Sequence, residues 1–241
     1  MNSFKTKITS LLIVSLFLVG TQNLKAQTLE FGAIGGLNFS SHLNNFRFAD
    51  RDINLDLDPK MSFTFQGGLI LRKHISPSFR LQLEPTFIQL GATYNQLFTI
   101  RGFELETESQ TRLSYIQLPL LAQLSTHRPQ QSVYGRPQIS TTYHMTGGIF
   151  GGYLLDAKFT GTNSGAPIGV AYRGEFSNDV KSQYSTYDGG VIFGLGLEHG
   201  QEKKVGLETR AQYSVLGSGD APNLQFEPQN IAVTLSVYLI L

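Results

Sequence analysis

Phe79-Arg80-Leu81-Gln82-Leu83-Glu84-Pro85-Thr86-Phe87 places large apolar side chains on every odd position and Arg80, Gln82, Glu84 and Thr86 on the even ones. Successive side chains of a β-strand point to opposite faces, so this period of two predicts a strand with one greasy face and one charged face. A helix would spread both sets around its circumference. The same odd-numbered preference extends to either side. From Glu30 to Ser40, Phe31, Ala33, Leu37 and Phe39 alternate with Gly32, Gly36, Asn38 and Ser40, and from Ser62 to Arg72, Phe63, Phe65, Leu69 and Leu71 alternate with Thr64, Gln66, Gly68 and Arg72. Further along, Tyr187, Val191, Phe193, Leu195 and Leu197 oppose Asp188, Gly194 and Glu198. Val205, Leu207, Ala211 and Val215 oppose Glu208, Arg210, Gln212 and Ser214, and Ile231 to Leu241 ends the series. Two more segments, 113–124 and 142–155, are apolar on both parities, so their facing stays open.

Eight segments of about ten residues suit all-β antiparallel architecture, and period two alone does not distinguish a soluble sandwich from a membrane barrel turned inside out. The connections decide. Those at 41–61, 92–112, 156–186 and 216–229 are long; 72–78 and 199–203 are tight, although 125–141 is longer than the scheme expects. Alternating long and short connections, an even strand count and abundant aromatics (17 Phe and 10 Tyr) predict an eight-stranded up-and-down transmembrane β-barrel. Eight strands leave an interior that side chains just fill, so the even positions Arg72, Arg80, Glu84, Asp188, Glu198, Glu208 and Arg210 are expected to form a paired polar plug and no conduit.

The N-terminus carries its own signal. Lys5 and Lys7 precede an apolar run from Ile8 to Gly20, and Leu24-Lys25-Ala26-Gln27 follows. The run falls short of the roughly 20 residues of a spanning helix, so residues 1–26 are expected to be a signal peptide cleaved after Ala26, leaving one barrel domain at 27–241. The expected location is the outer membrane of a Gram-negative bacterium, with outer-membrane lipid as surroundings. A net charge of +1 gives no reason to expect nucleic acid as a partner, and the absence of cysteine excludes disulfides, thiolate metal sites and a Cys nucleophile.

Chemistry is hard to find. No two of His42, His74, His127, His144 and His199 stand at metal-ligand spacing. Asp50-Arg51-Asp52 and Asp56-Leu57-Asp58 lack the glycine and terminal glutamate of a calcium loop, and Gly194-Leu195-Gly196 lies in a strand without the helix a dinucleotide site needs. Four of the histidines fall at proposed loops or turns, where solvation is expected. Only His144, with Ser140, Thr141 and Thr146 nearby, lies inside a strand. No cofactor and no enzymatic activity are expected. Loops on a rigid barrel are the better place for function, and Phe46, Arg47 and Phe48 in the first and Tyr172, Arg173 and Phe176 in the third are candidate contact residues.

Several stretches, in order, resemble the PorT-like family of outer-membrane β-barrels, also labelled porin-family proteins. They are Phe31-Gly32-Ala33-Ile34-Gly35-Gly36-Leu37-Asn38-Phe39-Ser40, then Leu83-Glu84-Pro85-Thr86-Phe87 with Gly91, then Tyr115-Ile116-Gln117-Leu118-Pro119-Leu120-Leu121. Gly147-Gly148, Gly151 to Leu155, Asp188-Gly189-Gly190 and Glu208 to Tyr213 are similar to later strands. The chain departs from barrel habit in ending on Leu241 where an aromatic residue is common. The resemblance implies an outer-membrane barrel, and some relatives serve in protein secretion. The expected role is a non-enzymatic membrane anchor or scaffold with partner-binding loops; the rivals are a subunit of a secretion or envelope-assembly complex and a lipid-modifying hydrolase.

Overall fold

The computed structural model describes residues 29–44, 46–50, 53–100, 103–126, 140–165, 171–201, 203–216 and 229–241. The expected signal peptide and His127 lie outside them. The described residues form antiparallel strands β1 (Leu29–His42), β2 (Phe46–Asp50), β3 (Ile53–Leu57), β4 (Lys60–His74), β5 (Phe79–Leu83), β6 (Thr86–Ile100), β7 (Phe103–Ser125), β8 (Ser140–Gly165), β9 (Tyr172–Asp179), β10 (Tyr187–Gly200), β11 (Lys204–Ser214) and β12 (Asn230–Ile240). A 3-10 turn, Lys181–Gln183, precedes β10.

The pairings close on themselves. β1 lies between β4 and β12; β4 meets β5 and β6, which meet β7; β7 pairs with β8, β8 with β10, β10 with β11 and β11 with β12. β5 and β6 are one stave interrupted at Glu84-Pro85, where proline has no N–H for the ladder. The ring therefore has eight staves. Its two ends differ. At one, β4 turns into β5 within residues 75–78 and β10 into β11 through Gly200, whose φ of 136° suits glycine alone among common residues. At the other, strands run well past the ring.

This extension is a correction to the expected loops. β6 and β7 pair without interruption to Ile100↔Phe103, β8 continues to Gly165, β9 pairs back along it, and β2 with β3 forms a hairpin that touches β6 at Ile53↔Ile100. Segments 92–112 and 156–186 are thus largely strand. Their Thr, Ser and Gln content hides the period, while an already formed neighbour supplies the template for pairing.

Facing follows the expected parity where the sequence was clear. Phe31, Phe63, Leu69, Leu81, Phe193, Leu195, Val205 and Val237 are exposed, their odd-numbered companions are exposed or, like Phe79, Leu83, Phe87 and Val191, half-buried, and most even positions between them are fully buried. β7 takes the opposite parity: Ile116, Leu118, Leu120 and Leu124 are exposed while Leu113, Tyr115 and Leu121 are buried. β8 changes parity midway. Tyr115 pairs with Leu154 but Ser114 with Asp156, leaving Leu155 as a bulge with no partner on β7. Before it the odd residues Tyr143, Met145, Ile149 and Tyr153 face out; after it Ala157 is buried and Lys158 exposed.

A polar network inside a ring of strands

The charged even positions meet across the ring. Arg72 on β4 donates from Nη1 to Glu198 Oε2 on β10 at 2.5 Å, and Arg80 on β5 donates to the other oxygen of the same carboxylate at 2.9 Å. β4 and β10 are not neighbours, so these side chains reach into a shared interior. Arg210 on β11 binds Glu84 through both Nη atoms, the Nη2–Oε1 distance being 2.7 Å, and donates to Glu208 at 2.9 Å. Three guanidinium groups face three carboxylates, all of them buried. Burying one such charge without a partner would be costly, so this balance is a condition of the fold.

Gln82 joins the two halves of the network. Its Oε1 accepts from Arg72 Nε at 2.6 Å and its Nε2 donates to Glu84. The amide presents its oxygen to the cation and its nitrogen to the anion, an orientation no charged residue could supply. Tyr238 donates to Glu198 at 3.1 Å and lies under the Arg72 guanidinium, 5.4 Å from ring centroid to Cζ. His144 Nε2 stands 3.5 Å from Glu208. Near the short turns, Glu30 adds Lys204 and His74 as partners, His74 at 3.1 Å.

Six of the seven expected residues thus form one network, and Asp188 does not join it. Asp188 lies at the far end of β10, where it accepts from Ser214 at 2.8 Å, Asn230 at 3.5 Å and the Gly189 amide at 2.7 Å. Sequence reasoning missed Gln82, His144 and Tyr238 as participants, although each is an inward position on a strand it had drawn. The guanidinium–carboxylate network occupies only part of the interior. Towards the extension the ring is packed by Ile88, Leu90, Leu113, Tyr115, Leu154 and Tyr184, with Phe159 beside them. Burial pushes the Tyr184 phenol well above the usual tyrosine range.

Of the histidines expected to be solvated, His199 is exposed, while His42 and His74 are placed otherwise. His42 ends β1 facing inward, is buried, and shares a 2.8 Å hydrogen bond with Tyr94. His74 is half-buried against Glu30, and His199 pairs with Thr141 at 2.8 Å, so the hydroxyl expected near His144 serves another imidazole. Of the candidate contact residues, Phe46, Arg47 and Phe48 form β2, and their side chains lie outside what the structure describes. Tyr172 and Arg173 are exposed on β9, and Phe176 is half-buried against Phe159 at 5.3 Å between ring centroids. They stand on a strand, not on a loop.

Among solved structures the chain is similar to Ail, the attachment invasion locus protein of Yersinia pestis, solved with the heparin analogue sucrose octasulfate, at 10% identity and a TM-score of 0.34, covering 88% of this chain and 99% of that one. It is also similar to an outer-membrane channel from Pseudomonas putida F1, at 9% identity and a TM-score of 0.26, covering 92% and 98%. Likeness at this level carries no ligand or activity across. No curated protein matches the chain. Residues 22–217, most of the chain and nearly the whole ring, match the outer membrane protein beta-barrel domain, and the chain is a member of that family of outer-membrane proteins.

Proposed function

We propose that the ring is an eight-stave transmembrane barrel that acts as a non-enzymatic anchor, closed inside by its polar network and apolar plug and presenting the extension as a partner-binding surface outside the cell. The observation that supports this reading most is the ion-paired network spanning the interior from β4 and β5 to β10 and β11, beneath an apolar cluster. Such an interior is occupied by side chains from wall to wall. With the short turns in the periplasm, the apolar outer positions meet lipid and the paired β6 to β9 segments rise beyond it. Exposed Tyr172 and Arg173 on β9 belong to the residue types that anchor interfaces. Removal of a 26-residue leader after Ala26 completes the scheme.

The barrel is tested on a detergent gel: folded protein is expected to migrate faster unboiled than boiled, and equal mobility would sink the reading. The anchoring role is tested by purifying a tagged copy from native outer membranes in mild detergent and quantifying what accompanies it by mass spectrometry. A protein partner at near-equal abundance, lost when Tyr172 and Arg173 are both replaced by Ala, is the expected result. A barrel that always elutes alone would sink the scaffold role.

A further inference from the structure

The outer surface of the ring is apolar up to a clear level on three adjacent staves: Ile116 on β7, Tyr153 and Leu155 on β8, and Tyr187 on β10. Tyr153 and Tyr187 are both exposed and pack edge to face at 5.7 Å. Aromatic side chains at the end of an apolar band mark the depth of lipid headgroups. Immediately beyond it, Arg112 on β7 stands directly opposite Lys158 on β8, and both are exposed.

Like charges placed opposite one another on adjacent strands repel, and the bulge at Leu155 is what creates this pair, because it turns Lys158 outward. A third cation joins them: Lys181 donates from Nζ to the Leu155 carbonyl at 2.8 Å. The carboxylates within reach are fewer. Asp156 lies 3.4 Å from Lys158 Nζ, and Asp179, opposite Lys158 on β9, accepts from the Lys181 backbone N–H at 2.9 Å. Three cations against two carboxylates leave a net positive charge at this level, with Arg112 and Lys158 side by side on adjacent strands.

We infer that Arg112, Lys158 and Lys181 form a binding site for the phosphate of a lipid headgroup in the outer leaflet. The inference rests on the barrel reading above, which sets the level of the membrane. A phosphate held between Arg112 and Lys158 converts their repulsion into two charge-assisted hydrogen bonds, while its acyl chains lie on the Leu155, Tyr153 and Ile116 surface below.

The test uses the full mature chain folded in neutral detergent, titrated with dioleoyl phosphatidic acid and, separately, dioleoyl phosphatidylcholine, with bound lipid counted by native mass spectrometry. Phosphatidic acid is expected to bind preferentially, Arg112→Gln and Lys158→Gln each to weaken it about fivefold, and the double variant about 25-fold, with Arg112→Lys retaining most of the affinity. Inorganic phosphate at the same concentration should leave the lipid in place. A double variant within twofold of the parent, equal binding of phosphatidylcholine, or displacement by inorganic phosphate would each overturn the proposal. Gel mobility of the same samples separates the two readings: loss of the boiled-to-unboiled shift in the parent sinks the barrel itself, whereas a retained shift without phosphate discrimination sinks this site alone.

Discussion

At the scale of single residues, the network assigns different weights to side chains that look alike in the sequence. Glu198 is held by Arg72, Arg80 and Tyr238, so Glu198→Gln removes the one carboxylate shared by two buried guanidinium groups. It is expected to lower stability by about 3–5 kcal/mol, read from urea unfolding in detergent by circular dichroism, since the chain contains no tryptophan. Asp188→Asn keeps an acceptor for Ser214 and touches no cation, so its cost should stay within about 1.5 kcal/mol in the same assay. Equal effects of the two would refute the division of the interior. Gln82→Glu is nearly isosteric but sets a carboxylate against Glu84; a loss of about 2 kcal/mol is expected, and a neutral outcome would mean that the amide does not bridge Arg72 to Glu84. Gly206 lies against the Tyr238 ring, where an added Cβ has no room, so Gly206→Ala should cost about 1–3 kcal/mol by pushing Tyr238 away from Glu198.

At the scale of elements, what was legible followed from how strictly each strand alternates. β1, β4, β5, β10, β11 and β12 separate apolar from polar residues by parity, and their facing could be read directly. In β7, Leu113, Tyr115 and Leu121 face in while Ile116, Leu118 and Leu120 face out, and no hydrophobicity pattern distinguishes the two sets. In β8 the parity itself changes at a residue that carries no signal of its own. The extension is not legible because polar residues occupy both faces of its strands: on β7, Glu106, Glu108 and Arg112 are exposed while Thr107, Ser109 and Thr111 are buried, so hydropathy does not alternate. The charged network was legible as a set of inward positions; its wiring was not, because Arg72 and Glu198 are brought together by ring closure. The bulge offers a test at this scale. Deleting Leu155 removes the unpaired residue and leaves residues on both sides facing as they do now, so the variant should still show the folded gel shift, whereas deleting Ile149 inverts every residue between it and the bulge and should abolish the shift.

At the scale of the whole molecule, the filled interior proposed above, ion-paired at one level and apolar at another, predicts that the protein reconstituted in planar bilayers shows no steady ohmic conductance. Stepwise, long-lived openings would contradict the filled interior. The interior also ties distant parts of the chain together. Arg72, Arg80 and Glu84 come from its first half, and Glu198, Glu208 and Arg210 from its second; the first trio has one positive charge too many and the second one negative charge too many. The bonds that cancel them, Arg72 and Arg80 to Glu198 and Arg210 to Glu84, all cross between the halves. Within these six residues each trio is therefore the counterion of the other. A stave displaced by two residues would carry its charge past the waiting partner, so the wiring of this interior favours a single register: only there do all three guanidinium groups meet their carboxylates.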